Sequence, residues 1–230
     1  MGALNSYLRP PTPKTCLLLG LDSSGKTTLL TSLTPSPTLY GRQVLGDDLE
    51  NKGDSVVTMP TSGVSLVEFK DPRGEPWRVW DLSGQGRFRS LWSYYTGHVQ
   101  ALIYCIDVTD VDRVACSRDE FSTILDMQKV KEKRLPVLVF ATKGDLKDGG
   151  GGGGGEGGGG GDMGAGGSNP SGGKKDRCLT LDNIHLGFNI DSLQEKHKVK
   201  VFQCSGVNGT GVAEGFAWLG EVIKQQGVED

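Results

Sequence analysis

An eight-residue segment, from Gly20 to Thr27, has the pattern of a phosphate-binding loop. It reads GLDSSGKT and fits G-x-x-x-x-G-K-[ST]. Its glycines allow backbone N–H groups to turn inward towards phosphate oxygens, Lys26 can reach the β and γ phosphates, and Thr27 can ligate Mg²⁺. The flanking segments predict a strand at 14–19 and a helix at 27–34, whose positive end would face the phosphates. The predicted phosphate-binding residues are Leu21, Asp22, Ser23, Ser24, Gly25, Lys26, Thr27 and Thr28.

A second motif, Thr-Lys-Gly-Asp at 142–145, can select the base of a nucleotide. It follows the apolar run 135–141, so it is expected at the carboxyl end of a strand. The Asp145 carboxylate can accept hydrogen bonds from the ring N–H and the exocyclic amine of guanine, whereas adenine offers neither donor pattern there. Lys143 could lay its alkyl stem along the base and extend its amine towards the phosphate loop. Alternatively, Asp145 could simply cap a helix. The presence of the phosphate loop in the same chain favours guanine recognition by Asp145.

A third motif, WDLSGQ at 80–85, supplies groups suited to metal binding and hydrolysis. Asp81 ends a predicted strand and is placed to hold Mg²⁺ through a water. Gly84 can bring a backbone N–H close to a γ phosphate, and Gln85 can orient an attacking water through its amide. Although Gln85 could be a simple turn residue, the combination of motifs favours it as the catalytic residue.

Bulk composition excludes several classes of protein. The 230 residues carry 25 Lys and Arg against 28 Asp and Glu, a net charge of −3, which argues against a nucleic-acid partner. The five cysteines are scattered and contain no C-x-x-C pair, which indicates a reducing compartment and no zinc site. No apolar run reaches the ~18–20 residues of a membrane-spanning helix, and no signal peptide opens the chain. We therefore expect a cytosolic or membrane-peripheral protein.

The apolar segments predict a doubly wound α/β domain with a mostly parallel six-stranded sheet. The turn 71–74 predicts a hairpin that forms the antiparallel edge of this sheet. A last helix begins near Gly211 and should pack an apolar stripe on the sheet, formed by Val212, Phe216, Leu219 and Ile223. The six predicted strands are 16–20, 64–69, 77–80, 101–108, 135–141 and 199–204.

Two segments read as insertions in a single domain at 14–230. The first, about 35–57, is punctuated by Pro, Gly and Asp and lacks clear periodicity. The second, 149–173, has 17 glycines in 25 residues and cannot form a core. Because closing a longer surface loop costs only ~0.6 kcal/mol per doubling of its length, the domain should tolerate both.

Together these residues resemble the Arf and Arf-like branch of the Ras-type small GTPases, over nearly the whole chain outside the insertions. Four segments carry the resemblance: GLDSSGKTT at 20–28, PTSG at 60–63, WDLSGQ at 80–85 and RSLWSYY at 89–95. The resemblance implies that the bound nucleotide is GTP or GDP with Mg²⁺. It also implies that Thr61 ligates Mg²⁺ only when a γ phosphate is present.

The last guanine loop is assigned by the same resemblance to Ser205, Gly206 and Val207, with the Gly206 N–H contacting the base oxygen. One departure concerns position 142, where the family usually has Asn. Thr142 lacks the amide that bridges guanine to neighbouring loops. We expect the protein to remain selective for guanine, and the change from Asn to Thr puts its nucleotide affinity in question.

Within the branch, SGQGRFRSLW at 83–92 is most similar to the ciliary Arf-like GTPases of Bardet–Biedl syndrome, which recruit the BBSome coat. This implies a monomeric switch in membrane or ciliary trafficking, with an effector or coat complex, an exchange factor and a GTPase-activating protein as partners. Since no arginine must act in cis, hydrolysis should be slow and should need that activating protein. The hairpin 64–80 is expected to slide in register between nucleotide states. The expected location is the cytoplasm and membrane surfaces, including the base of a cilium or flagellum.

The segment 1–13 is expected to contact membrane. MGALNS at 1–6 matches the myristoylation pattern M-G-x-x-x-[ST], with Gly2 as acceptor. Leu4, Tyr7 and Leu8 could share one apolar helix face, although a disordered start fits equally well. The sequence shows no basic cluster that would add a second membrane signal. Because one acyl chain gives only marginal binding, attachment should be reversible.

Two other functions compete with a hydrolysing switch. A scaffold that holds nucleotide without hydrolysing it is credible because of Thr142 and the long insertions. A small-molecule kinase is disfavoured because no arginine-rich lid follows the phosphate loop and because Asp145 selects guanine.

Overall fold

The fold is that of a computed structural model, which describes residues 12–33, 63–147 and 178–226. Gly2 and the rest of the N-terminal segment up to residue 11, Thr61, and both predicted insertions lie outside the described residues.

Six strands form one sheet in the order β2-β3-β1-β4-β5-β6. Among the described strands, the β2–β3 pair is antiparallel and the other four pairs are parallel. This confirms the predicted doubly wound α/β fold with an antiparallel edge strand. The strands are β1 Lys14–Gly20, β2 Val64–Lys70, β3 Pro76–Leu82, β4 Ala101–Asp107, β5 Val137–Thr142 and β6 Val199–Gln203.

Helices cover both faces of the sheet. Short 3₁₀ turns precede or follow several of them, at Gly86–Leu91, Thr96–His98, Val111–Arg113 and Gly144–Lys147. The α-helices are α1 Lys26–Leu33, α2 Trp92–Tyr95, α3 Val114–Asp126, α4 Gln128–Lys133, α5 Leu181–Gly187, α6 Ile190–Gln194 and α7 Val212–Gln226. Among the described residues, none of these helices has the length and apolar character needed to cross a bilayer.

Strand β1 is buried on both faces, which explains its continuous apolar sequence. Leu17 and Leu19 face a core cluster that contains Phe121 of α3. Cys16 and Leu18 face the opposite cluster, which contains Phe216 of α7. The predicted stripe of α7 is confirmed, since all four of its residues are buried in the structure: Val212, Phe216, Leu219 and Ile223.

The strand boundaries differ from their predictions by at most two residues, and the start of β5 shows a physical reason. The run 135–141 was expected to be a strand, but β5 begins only at Val137. Leu135 is buried, yet its N–H donates to the carbonyl of Val130 at 3.3 Å and so completes the turn after α4. Pro136 has no N–H, and its carbonyl accepts from Leu102 at 2.9 Å. A prediction from apolar residues alone therefore began the strand two residues too early.

Candidate functional site

The phosphate loop connects β1 to α1 and requires glycine where it leaves the sheet. Gly20 has φ +138°, and a Cβ built there would lie 2.4 Å from the carbonyl oxygen of Cys105 on the neighbouring strand. Gly25 has φ +80°, and its carbonyl accepts from Leu29 at 2.9 Å, the bond that begins the helix. The two glycines of the motif thus allow a tight turn between the end of β1 and the start of α1.

Lys26 is buried inside this loop with only 6% of its surface exposed. Its ammonium donates to the carbonyl oxygens of Gly20 at 3.0 Å and Leu21 at 2.7 Å. Burial lowers the pKa of Lys26, and the Asp81 charge offsets part of that effect. A buried cation that is held by neutral oxygens fits a ligand that carries negative charge. The loop is therefore suited to a phosphate ligand.

Two residues with predicted roles at the metal come together beside Lys26. The Thr27 hydroxyl donates to Asp81 Oδ2 at 3.1 Å. Asp81 is 2% exposed and lies opposite Leu18 in the β1–β3 register. Hydroxyl and carboxylate oxygens are the hard ligands that Mg²⁺ prefers, directly or through water. The donor set therefore fits a magnesium ion.

The backbone of the WDLSGQ motif lies directly on the phosphate loop. A Cβ at Gly84 would fall 2.2 Å from the backbone carbon of Leu21 and 2.3 Å from the backbone nitrogen of Asp22. The indole N–H of Trp92 donates to the Ser83 carbonyl at 3.2 Å, and Arg89 Nε donates to the Gly84 carbonyl at 2.9 Å. Gly84 is thus held where its peptide can meet a bound phosphate.

Gln85 follows Gly84 and is partly exposed. Its side-chain Oε1 accepts a hydrogen bond from Arg87 Nε at 3.1 Å. The guanidinium of Arg87 also lies over the ring of Phe88, 4.6 Å from its centroid. No sequence motif predicted a role for Arg87, although it lies two residues from Gln85.

Two arginines that the sequence analysis did not select contact Asp22 in the phosphate loop. Arg113 Nη1 lies 2.9 Å from Asp22 Oδ1, and its Nη2 donates to the Asp22 carbonyl at 3.1 Å. Arg89 Nη2 lies 3.7 Å from the same carboxylate, while its Nη1 donates to Glu120 at 2.8 Å. The position of Arg113 just after β4, at the carboxyl edge of the sheet, was the available signal for a site residue.

The loop after β5 is joined to the phosphate loop through Thr142. Its hydroxyl lies 2.8 Å from the carbonyl oxygen of Ser24 and 3.1 Å from that of Ile106. Lys143 has φ +61°, and its ammonium contacts Asp107 Oδ2 at 2.6 Å. The lysine was expected to extend towards the phosphate loop, and in the structure it pairs instead with the carboxylate that ends β4.

Asp145 lies in the 3₁₀ turn after β5, next to the loop that follows β6. The N–H of Gly144 donates to the Cys204 carbonyl at 3.1 Å, which joins the two loops. In the second loop, the Ser205 hydroxyl accepts from the N–H of Val207 at 3.2 Å. A Cβ at Gly206 would lie 2.8 Å from the backbone nitrogen of Leu29, so this loop packs on α1.

The structure therefore gathers the predicted residues of the described segments at one edge of the sheet. The phosphate loop follows β1, the WDLSGQ motif follows β3, and the two predicted guanine loops follow β5 and β6. These are the carboxyl ends of the strands that the sequence analysis expected to face the ligand. Val207, in the loop after β6, is 71% exposed.

Comparison with known proteins agrees with this site. A sequence model of the ADP-ribosylation factor family matches residues 4–150. ADP-ribosylation factor-like protein 6 of Danio rerio is 39% identical over 132 residues, which cover 57% of this chain and 62% of that protein. ADP-ribosylation factor-like protein 1 of Caenorhabditis elegans is 30% identical over 231 residues, covering 98% of this chain and 99% of that one.

A solved structure supports the fold. The Arl6 BBS3 small GTPase from Trypanosoma brucei, with the bound nucleotide analogue GppNp, superposes with a TM-score of 0.66 at 24% identity. The match covers 94% of this chain and 99% of that one. The resemblance to a particular Arf-like subgroup, inferred from residues 83–92, agrees with the sequence similarity to ADP-ribosylation factor-like protein 6. The chain belongs to the ADP-ribosylation factor family and is an Arf-family small GTPase.

Proposed function

We propose that this protein is a GTP/GDP switch that hydrolyses GTP slowly and recruits effectors, or a coat complex such as the BBSome, to a membrane while GTP is bound. The observation that carries the proposal is the contact of Gly84 with the phosphate loop at Leu21 and Asp22. Gly84 follows β3, and Asp81 of β3 contacts Thr27. The loss of the γ phosphate would therefore affect the β2–β3 hairpin directly, through the contacts that Gly84 and Asp81 make.

The chain's own residues divide the work at the phosphates. Lys26 would bind the β and γ phosphates, and Thr27, Thr61 and Asp81 would hold Mg²⁺, directly or through water. When bound, Mg²⁺ neutralises developing charge on the phosphate oxygens. The Gly84 N–H would donate to the γ phosphate, and Gln85 would orient the attacking water. Thr61 and Gly84 would therefore lose a partner on hydrolysis, and the segments that carry them would rearrange.

Guanine selectivity would come from the loops after β5 and β6. Asp145 would accept from the two guanine donors, and Gly206 would donate to the base oxygen. Lys143 would contribute its alkyl stem beside the base while its ammonium pairs with Asp107. Thr142 supports this arrangement, since its hydroxyl reaches the Ser24 carbonyl and ties the loop to the phosphate site.

Slow hydrolysis is supported by the contacts of the nearby arginines. Arg89 is engaged by Glu120 and by the Gly84 carbonyl, and Arg113 by Asp22 and Asp110. Arg87 donates to Gln85 and is exposed. With these guanidinium groups occupied, an activating protein would have to supply the missing positive charge.

Membrane attachment would use residues 1–13, with Gly2 as a myristoylation site, and an exchange factor would load GTP. The similarity to ADP-ribosylation factor-like protein 6 supports a role in trafficking, extending to the cilium. We further propose that residues 14–230 form one GTPase domain that carries both insertions, and that its β2–β3 hairpin slides in register between nucleotide states.

Single-turnover GTP hydrolysis tests the catalytic assignment. Gln85→Leu should slow the reaction by about 10-fold or more, both alone and with an activating protein, because leucine cannot orient water. Gln128→Leu is the matched control, since Gln128 is exposed on α4, distant from the site. Hydrolysis by Gln85→Leu at the parental rate would contradict the role given to Gln85.

A scaffold that binds nucleotide without hydrolysing it is the second candidate. The hydrogen bond from Arg87 to Gln85 Oε1 favours it, because this bond uses one of the two acceptor positions of that oxygen and holds the side chain away from a free choice of orientation towards water. The same single-turnover experiment separates the two functions. A parental protein that retains intact GTP after many hours, with or without an activating protein, would be a scaffold.

A further inference from the structure

The amino end of the sheet carries a concentrated positive charge. Six exposed cationic side chains lie in segments 126–134 and 195–198, which contain only three carboxylates, whereas the whole chain has a net charge of −3. We name these residues the basic end surface. They are Lys129, Lys131, Lys133, Arg134, Lys196 and Lys198.

The pairing of β5 with β6 brings the two segments together. The N–H of Val137, at the start of β5, donates to the Lys198 carbonyl at 2.8 Å. His197 is buried beside them, and burial together with the positive charges of Lys196, Lys131 and Arg134 lowers its pKa. The charges of these three cations, which come from two segments distant in the sequence, therefore act on one buried imidazole.

Most of this charge is not neutralised by neighbouring carboxylates. Lys131 pairs with Asp126 at 3.0 Å, but both side chains are more than half exposed, and such pairs are weak. In the part of the chain that the structure describes, Lys129, Lys196 and Lys198 form no ion pair. Lys133 donates to the Gly97 carbonyl at 2.7 Å and extends the surface to the turn before β4.

The N-terminal segment joins the domain at this same end. Strands β1, β4, β5 and β6 are parallel, so β1 begins beside the starts of β5 and β6. At ~4.8 Å between neighbouring strands, β5 and β6 are displaced sideways from β1 by about 10 and 15 Å. Residues 1–11, which include Gly2, therefore connect to the fold next to the basic end surface.

We propose that the basic end surface docks on an anionic lipid bilayer, as an electrostatic signal that supplements the N-terminal segment. The inference rests on the membrane attachment proposed above, for which one acyl chain gives only marginal binding. Five of the six cations are lysines, whose compact hydrated charges suit a diffuse anionic surface better than paired carboxylates on a protein. Each cation close to such a bilayer strengthens binding about fivefold.

Vesicle co-sedimentation of the full, unacylated chain tests this surface without the lipid anchor. Two vesicle types are compared, pure phosphatidylcholine and phosphatidylcholine mixed with phosphatidylserine. The surface variant is Lys131→Gln with Lys196→Gln. The matched control is Arg78→Gln with Arg118→Gln, which removes two solvent-accessible charges from β3 and α3, outside the basic end surface.

We expect the parental chain and the control to bind the phosphatidylserine vesicles, more weakly at about 0.5 M salt than at about 0.15 M. The surface variant should bind them about 20-fold more weakly. Equal binding by surface variant and parent, equal weakening in both variants, or no binding of the parent to phosphatidylserine vesicles would overturn the inference. So would a surface variant that keeps vesicle binding and loses retention on immobilised polyglutamate, which would indicate an acidic protein partner.

Vesicle binding by the acylated protein distinguishes the proposed GTP/GDP switch from the proposed role of the basic end surface. If the acylated protein binds phosphatidylcholine vesicles only when loaded with a GTP analogue, while the surface variant shows no defect on phosphatidylserine vesicles, the switch stands and the surface inference fails. If nucleotide state makes no difference but the surface variant still loses phosphatidylserine binding, the surface inference stands and the proposed switch fails.

Discussion

The hydroxyl of Thr142 lies 2.8 Å from the carbonyl oxygen of Ser24, so one hydrogen bond joins the guanine loop after β5 to the phosphate loop. Both residues are 2% exposed. The family's usual asparagine could span these loops with its amide, and the shorter threonine side chain makes this link with a single donor. Thr142 therefore supplies part of the connection that the sequence analysis considered lost.

Replacing Thr142 by valine should weaken nucleotide binding. Valine keeps the shape of the side chain but leaves the buried Ser24 carbonyl without this donor, which costs about 1–3 kcal/mol. We expect a fluorescent GDP analogue to dissociate roughly 10-fold faster, as measured by stopped-flow displacement. Thr142→Ser keeps the hydroxyl and should release the analogue at nearly the parental rate. Parental release by Thr142→Val would show that the hydroxyl does not hold the loops together.

Adding one methyl group at Gly84 should disrupt the catalytic arrangement. The new Cβ would lie 2.2 Å from the backbone of Leu21, so either the phosphate loop or the segment with Gln85 must move. Because a displacement of about 1 Å costs on the order of 100-fold in rate, single-turnover GTP hydrolysis by Gly84→Ala should fall strongly. Gly86→Ala is the control, since no atom lies within 4 Å of its Cβ position. Equal rates in both variants would refute the close approach.

Local patterns predicted the sheet and the loops because each depends on neighbours in the sequence. The phosphate loop is a strand, a glycine turn and a helix in succession, so its motif fixes its place at the strand end. Contacts between distant segments have no such signal. The bonds from Arg113 to Asp22 and from Lys143 to Asp107 depend on which strand ends become neighbours.

The basic end surface shows the same limit. The linear sequence contains no basic cluster beside the N-terminal segment. Lys131 and Lys196 come together only because β5 pairs with β6, while the parallel β1 starts at the same end. Charge that is dispersed along a chain becomes a surface through topology, and a search for contiguous basic runs cannot find it.

Glu75 should stabilise the turn of the β2–β3 hairpin. Its carboxylate contacts Lys14 at 2.5 Å and Lys224 at 2.9 Å, and these hydrogen bonds lower its pKa from 4.5 to about 2. Glu75→Gln would leave the nearly buried Lys14 ammonium without this anion, and we expect a loss of about 1–2 kcal/mol in the free energy of unfolding at neutral pH. Urea titration measures this loss.

The pH dependence and a control make the test specific. Since the folded pKa of Glu75 lies below its unfolded value, its contribution is complete above pH 4.5 and is lost as the pH falls towards 2. The stability difference between Glu75→Gln and the parent should shrink over that interval. Glu68→Gln should cost less than about 0.5 kcal/mol, because the Glu68–Arg78 pair is about 40% exposed on both sides. Equal losses in the two variants would exclude a special role for Glu75.

Acidification should destabilise the fold through His197. This residue is 8% exposed, and its Nδ1 has no hydrogen-bond partner among the described residues. Burial, followed by the charges of Lys196, Lys131 and Arg134, lowers the pKa of His197 below 6.5. The unfolded chain therefore binds a proton at a higher pH than the folded chain does, and stability should fall as the pH drops below about 6.5.

Urea midpoints at about pH 7.5 and about pH 5.5 measure this loss. His197→Gln removes the titrating group and should flatten the pH dependence, whereas His98→Gln, at an exposed position, should retain it. The variant with Lys131→Gln and Lys196→Gln removes two of the charges that oppose protonation, so the pKa of its His197 should rise towards 6.5 and its acid sensitivity should decrease. An unchanged slope in His197→Gln would assign the acid sensitivity to other groups.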